Sequence, residues 1–151
     1  MLKIIDEFNG EYYFLSNFSN WKCEFEGLLY PTSEHAFQAA KSLSYGERIK
    51  ISHLKTPGEA KKYGRNIILR EDWDSVKNGV MFNILLDKFT KHKELFYKLL
   101  KTKDAELIEG NTWHDNYWGD CICEKCSKKF GQNNLGRTLM RIRNRFFRII
   151  K

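Results

Sequence analysis

Apolar side chains at Trp21, Cys23 and Phe25 alternate with charged side chains near the N-terminus. A period of two is typical of a strand that buries one face. Gly27 follows this stretch and permits a tight turn. We therefore expect the first thirty residues to form short strands.

Helical signals begin after Pro31 and recur to the end of the chain. Thr32 or Ser33 can cap a first helix, and Thr56 followed by proline starts another that Gly64 ends. Farther on, apolar residues recur every three or four positions, which is the period of an amphipathic helix. We predict helices over about 33–43, 57–64 and 74–90, around 95–100, and from about 135 onward.

The predicted fold is therefore mainly α, with a small N-terminal β-sheet. The 151 residues contain no repeat or linker, so we expect a single domain over 1–151. No apolar run approaches the roughly 18 residues of a membrane span. Acidic residues interrupt the N-terminal segment where a signal peptide would be apolar, so a cytoplasmic location is expected.

Positive charge is concentrated at the C-terminus. The net charge is +7, and residues 137–151 carry six cations and no acid. Such a patch attracts anionic partners such as DNA or RNA, although cations also simply favour a helix C-terminus. The six are Arg137, Arg141, Arg143, Arg145, Arg148 and Lys151.

A polar column is predicted on the first helix. At 100° per residue, Glu34, Gln38 and Lys41 project from one side. One interpretation is an ordinary solvated face. The other is the wall of a pocket, with a carboxylate near the helix start and an amine two turns later. Periodicity alone leaves both open.

The segment 109–119, EGNTWHDNYWG, combines two carboxylates, an imidazole and three aromatic rings. Rings that stack on a base, beside carboxylates that stabilise charge at a sugar carbon, suit glycosidic chemistry on a nucleoside. Glu109 and Asp115 are the candidate carboxylates. Trp113, Tyr117 and Trp118 could instead be core residues.

Three of the four cysteines lie close together, at Cys121, Cys123 and Cys126. The last two have the C-x-x-C spacing of half a zinc site, and Cys121 or His114 could add ligands. A second C-x-x-C is missing, and Cys121 is only two positions from Cys123, which is an unusual spacing for two zinc ligands. We therefore expect reduced cysteines with less than one zinc per chain, and no metal in the reaction.

Several blocks, in order, resemble the NADAR or YbiA-like family. Among them are PTSEHAFQAAK at 31–41, DNYWG at 115–119 and GQNNLG at 131–136. The chain departs from the shorter family pattern between Gly119 and Gly131, where the cysteines are inserted. The remaining matching blocks are 14–18, 56–61, 64–65, 72–74, 80–81, 88–89, 107–109, 139–140 and 143.

This resemblance implies a multihelical fold and N-glycosidase activity that needs no cofactor. The substrates associated with the family are ADP-ribose on a guanine of nucleic acid and phosphoribosylated intermediates of riboflavin synthesis. Both reactions break a bond between ribose C1 and a nitrogen. DNA or RNA that carries the ADP-ribose would then be a partner.

The resemblance also implies roles for particular residues. Lys41 matches a helix lysine proposed to attack C1 as a Schiff-base nucleophile, for which its pKa must be lowered. Glu34, Glu109 or Asp115 would move protons. The candidate substrate-binding residues are Asn17, Phe18, Gln38, Arg65, Trp73, Trp118, Gly119 and Asn133. The alternative function is a non-enzymatic module that binds nucleic acid through Cys121–Cys126 and the arginine-rich helix.

Overall fold

The computed structural model describes residues 3–126 and 129–150, and the chain divides into two compact units. The first unit combines the described residues up to Ser16 with those from Phe96 onward. The second unit is Asn17–Leu95. The expectation of a single domain over 1–151 stays a prediction.

The second unit starts with a β-hairpin and continues as helices. Glu26 and Gly27 both have positive φ, 47° and 81°, as a two-residue turn between antiparallel strands requires. This confirms the strand and turn predicted around Gly27. The elements are β2 (Cys23–Phe25), β3 (Leu28–Tyr30), α1 (Ser33–Ala40), α2 (Tyr45–Ser52), α3 (Pro57–Gly64) and α4 (Trp73–Lys91).

Helix α1 is the centre of the second unit. It packs against α2, α3 and α4, and all eight of its residues are buried. Its polar side chains therefore lie in the interior, not on a solvated face. The helix ends at Ala40, three residues before the predicted end, and Leu43 is 69 % exposed.

The first unit contains one long helix and two parallel strand pairs. Strand β1 pairs with β4, β5 pairs with β6, and α6 packs against β4. The apolar face predicted for α6 is buried at Leu135, Leu139, Ile142 and Phe146. The elements are β1 (Ile4–Ile5), a 3-10 helix (Gly10–Leu15), β4 (Glu106–Leu107), β5 (Gly110–Asn111), β6 (Asp120–Cys121) and α6 (Asn134–Ile149). Helix α5 (Lys93–Lys101) begins in the second unit, and its residues from Phe96 onward belong to the first.

The mainly α fold with small sheets is confirmed. Three details differ from the sequence prediction: residues 10–15 form a 3-10 helix instead of a strand, α2 was not predicted, and the two parallel strand pairs were not predicted. Within the described ranges, none of the helices combines the length and apolarity needed to cross a membrane.

Candidate active site

The start of α1 is fixed by side chains from two directions. The Thr32 hydroxyl accepts a hydrogen bond from the His35 backbone N–H at 3.3 Å, which caps the helix. From an earlier loop, the Asn17 carbonyl accepts from the Glu34 N–H at 3.1 Å. These contacts fix where the first turn, and therefore Glu34, begins.

His35 is a buried histidine that sequence analysis did not select. Its Nε2 lies 3.1 Å from the Leu54 carbonyl, and its Nδ1 lies 2.7 Å from the Thr32 hydroxyl. An Nε2–H that donates to the carbonyl leaves Nδ1 to accept from Thr32. Burial lowers the pKa of His35, which is consistent with this neutral form. The residue therefore anchors α1 and is not a candidate catalyst.

Glu34 and Gln38 form a buried polar pair on α1. They are only 7 % and 4 % exposed, and Gln38 Nε2 donates to Glu34 Oε1 at 2.7 Å. Within the described residues, the other amide atom, Gln38 Oε1, is buried and has no hydrogen-bond partner. A buried acceptor without a donor costs free energy of about 1–3 kcal/mol, which a bound ligand could recover.

Gly64, at the end of α3, lies directly against Gln38. A Cβ added at Gly64 would overlap Gln38 Oε1 and lie 2.7 Å from its side-chain carbon Cδ. Glycine at this position therefore does more than end the helix. It leaves the space that the Gln38 amide occupies.

Lys41 caps the C-terminal end of α1 and is half-buried. Burial is the main cause that lowers the pKa of its amine, and the positive charges of Lys61 and Arg65 lower it further. Glu34 acts in the opposite direction. A lysine in such surroundings is more often neutral, and therefore nucleophilic, than a lysine in water.

Lys61 and Arg65 lie near Lys41, and the Phe18 ring contacts Lys61. Lys61 and Arg65 lie four residues apart on α3 and at its C-cap, so they project from the same side. Lys61 Nζ lies 5.7 Å from the centre of the Phe18 ring, a cation–π contact. Phe18 and Arg65 were predicted from the sequence. Lys61 was not, although its i, i+4 spacing from Arg65 was an available signal.

Asn17 and Trp73, both predicted to bind substrate, are buried residues with structural contacts. Asn17 accepts a 3.0 Å hydrogen bond from the Ser33 hydroxyl, and its Nδ2 lies 3.5 Å from Met81 Sδ. Trp73 is 7 % exposed and packs on Phe37 with ring centres 5.1 Å apart. Both residues hold α1 in place.

A second lysine with a lowered pKa lies in the core of the second unit. Lys88 is 0 % exposed and donates to the Ser19 hydroxyl at 2.9 Å. Burial lowers its pKa to about 7. A side chain with no exposed surface cannot meet a substrate without a rearrangement, so Lys41 is the better nucleophile.

In the first unit, Asp115 organises the loop that carries Trp118. Its Oδ1 accepts from the Tyr117 N–H at 3.1 Å and from the Trp118 N–H at 2.8 Å. Its backbone N–H and carbonyl both bond to the Asn111 amide, at 3.2 and 2.7 Å. The rings of Tyr117 and Trp118 meet edge to face at 5.0 Å, and both are half-buried.

The side-chain amide of Asn133, which was predicted to bind substrate, forms hydrogen bonds with the backbone. Its Oδ1 accepts from the Glu109 N–H at 3.0 Å, and its Nδ2 donates to the Leu107 carbonyl at 2.8 Å. Gly119 is also buried, and an added Cβ there would overlap the Glu109 carbonyl. Both residues shape the loop around Glu109, and the Asn133 amide is not available to a ligand in this arrangement.

The cationic tail is not one continuous surface. Arg143 is 3 % exposed and donates to the Thr102 hydroxyl and the Ala105 carbonyl, both at 2.8 Å. Its role is structural, which corrects its inclusion in the predicted patch. The exposed arginines of α6 are Arg137, Arg141, Arg145 and Arg148, whereas Lys151 lies outside the described residues.

Comparison with known proteins identifies the family to which this chain belongs. The NADAR domain model matches residues 6–147. The chain belongs to the NADAR family. It is 42 % identical over 137 residues to N-glycosidase YbiA of Shigella sonnei, which covers 89 % of this chain and 82 % of that protein. The predicted enzyme class, a hydrolase acting on N-glycosyl bonds, is confirmed.

Two further relatives are informative. The NMR structure of Escherichia coli YbiA matches with a TM-score of 0.83 at 37 % identity, over 99 % of this chain and 89 % of that one. A riboflavin biosynthesis protein of Vibrio vulnificus is 33 % identical over 140 residues, which is 91 % of this chain but 36 % of that longer protein. The alternative of a non-enzymatic module finds no support among these relatives.

Proposed function

We propose that this NADAR protein hydrolyses the bond between ribose C1 and a base nitrogen, with Lys41 as the nucleophile. The observation that carries this proposal is the buried Glu34–Gln38 pair on the same helix as a half-buried amine with a lowered pKa. A solvated helix face would give neither the burial nor the lowered pKa. Burial together with a shifted pKa is common at catalytic sites, which supports the proposal.

The first steps open the ribose ring and attach its C1 to the Lys41 amine. The bond from C1 to the ring oxygen breaks, the oxygen takes a proton, and the base nitrogen forms an imine with C1. Neutral Lys41 then adds to C1, and the base leaves with a proton, so that C1 becomes an iminium on Lys41. Water hydrolyses this iminium, which releases the free sugar and the amine.

Glu34 is the proton-transfer group we assign to these steps. It lies on the helix that Lys41 caps, and its charge acts to raise the pKa of the Lys41 amine. The bond from Gln38 holds one of its carboxylate oxygens in place. Glu109 and Asp115 stay predicted acid–base residues, and Asp115 has the additional task of holding the Trp118 loop.

The substrate class we propose is a ribose that carries a 5′-phosphate or 5′-pyrophosphate. Lys61 and Arg65 provide two positive charges beside Lys41, and a guanidinium suits the geometry of phosphate oxygens. Phosphoribosylated riboflavin intermediates and ADP-ribosylated guanine both contain this group. The riboflavin relative supports the first, and the exposed arginines of α6 suit the nucleic acid that would carry the second.

The experiment is to incubate the protein with each substrate class and identify the products by mass spectrometry. We expect a free base together with ribose 5-phosphate or ADP-ribose from at least one class. Lys41→Met should release no product while its thermal unfolding stays unchanged. If the wild-type protein releases product from neither substrate class, the proposal is contradicted.

A further inference from the structure

Four potential metal ligands meet in the first unit, at the inserted cysteines. The Nδ1 or Nε2 of His114 and the Sγ atoms of Cys121, Cys123 and Cys126 all lie within 4.8 Å of one another. His114 Nδ1 is 3.2 Å from Cys123 Sγ and 3.4 Å from Cys126 Sγ. The proposed hydrolysis uses none of these groups.

The backbone arranges the cluster through pairing and tight turns. Parallel pairing of β5 with β6 aligns Cys121 with Asn111, and the Cys121 N–H donates to Asn116 Oδ1 at 2.9 Å. His114 lies in the turn that the Asn111 amide closes, with a left-handed φ of 68°. That conformation is uncommon for a residue other than glycine, and it is often found where a site requires it.

The last two ligands come from a separate turn. The Cys126 N–H donates to the Cys123 carbonyl at 3.0 Å, which brings the two thiols of the C-x-x-C pair to the same side. Cys121 is buried, whereas Cys123 and Cys126 are half-buried. The cluster is thus open enough for an ion to enter and enclosed enough to hold one.

We propose that His114, Cys121, Cys123 and Cys126 bind one structural Zn²⁺. Three thiolates and one imidazole are a set that zinc binds tetrahedrally in closed structural sites. Zn–S bonds of about 2.3 Å place the sulfurs of a tetrahedron about 3.8 Å apart, so this cluster needs only small shifts to close. Four protein ligands leave no position for a catalytic water.

This proposal replaces the expectation of less than one zinc per chain. That expectation relied on the missing second C-x-x-C and on the short step from Cys121 to Cys123. The fold provides the two further ligands, because it brings His114 and Cys121, on the strand paired with β5, next to the C-x-x-C pair. An ion here would link the insert to the turn that carries His114.

The direct test is the zinc content of the wild-type protein, purified under reducing conditions and supplied with Zn²⁺ alone. We expect one zinc per chain by elemental analysis and the same stoichiometry by native mass spectrometry. Replacement by Co²⁺ should give the absorption of tetrahedral thiolate-bound cobalt. A protein without zinc, or one with a disulfide between Cys123 and Cys126, would overturn the proposal.

Variants identify the ligands. Cys123→Ser with Cys126→Ser should lose the zinc, and His114→Ala should lower its affinity but keep the cobalt–thiolate absorption. The matched control His53→Gln removes an exposed histidine of the second unit and should keep one zinc. Full zinc in the double cysteine variant would refute this ligand set.

Some ligand variants could fail to fold, so hydrogen exchange on the wild-type chain provides an independent measurement. Removal of zinc by a chelator should speed amide exchange between residues 111 and 126 and leave helix α1 unchanged. Exchange that is the same with and without zinc would contradict a structural role. None of these measurements depends on N-glycosidase activity.

Discussion

Gln38 donates a 2.7 Å hydrogen bond to Glu34 one turn earlier on α1, and both side chains are almost completely buried. The pair orients a carboxylate inside the second unit, about two helix turns before the half-buried amine of Lys41. Gln38 retains one buried acceptor without a donor among the described residues. A buried acceptor without a donor is destabilising unless a bound group donates to it.

Gly64→Ala tests whether this pair matters. The new Cβ would overlap the Gln38 amide, so we expect the bond to Glu34 to break and both activity and thermal stability to fall. Gly79→Ala is the matched control, because nothing lies within 4 Å of its Cβ in the middle of α4. The control should gain roughly 0.5–1 kcal/mol of stability and keep its activity. Equal behaviour of the two variants would refute the role of the Gln38 contact.

Lys61→Gln should change the pH dependence of the reaction. Loss of this cation raises the pKa of Lys41, so the neutral amine forms only at higher pH. The acidic limb of the kcat/KM profile, which reports groups of the free enzyme, should therefore move to higher pH. Lys62→Gln is the control, since Lys62 is exposed and is not among the groups that affect the Lys41 pKa. An identical profile for wild type and Lys61→Gln would exclude Lys41 as the titrating group.

Lys88→Met should remove a pH dependence of stability. The folded-state pKa of Lys88 is lowered to about 7, below the unfolded value, so the full cost of burying its charge is present below pH 7. That cost disappears as pH rises, which adds up to about 1.4 kcal/mol of stability per pH unit. Urea unfolding of wild type and variant should be compared between about pH 7 and pH 8.5, so that the titration of thiols, which both proteins share, largely cancels. Stability should rise less steeply with pH in the variant. Parallel curves would contradict a lowered Lys88 pKa.

Variants of the α6 arginines distinguish binding of a polynucleotide from a role in stability. Replacing the exposed Arg141, Arg145 and Arg148 with Gln should weaken binding of a polynucleotide and flatten its salt dependence, by about one unit of slope for each lost phosphate contact. Turnover of a small phosphoribosyl substrate should change little. Arg143→Gln should instead lower the unfolding free energy by about 1–3 kcal/mol, because it removes two buried hydrogen bonds, to the Thr102 hydroxyl and the Ala105 carbonyl. Unchanged salt dependence in the triple variant would exclude α6 from the binding surface.

Local signals in the sequence predicted much of the second unit. Thr32 and Thr56 cap the helices they were expected to cap, and Gly27 forms the predicted turn. Helix α2 was missed because only two of its residues are buried, which leaves little apolar periodicity. Its usable signal was the Ser44 cap, which accepts from the Glu47 N–H.

Long-range contacts explain what the sequence could not predict. Periodicity placed Glu34 and Gln38 on one side of α1, but only packing by α2, α3 and α4 makes that side interior. The same limit applies to the cysteines, because the pairing of β5 with β6 could not be predicted from the local sequence pattern. Asn133 and Gly119 matched family positions, yet their contacts hold backbone together.

The central claim is that Lys41 forms a covalent bond to ribose C1, and borohydride trapping during turnover tests it most directly. Reduction of the iminium would leave the sugar permanently attached to the amine. We expect peptide mass spectrometry to find this sugar on Lys41, absent from Lys88 and absent in Lys41→Met, with loss of activity in proportion to labelling. Continued turnover with no adduct, or an active Lys41→Met variant, would contradict the claim and indicate water attack assisted by a carboxylate.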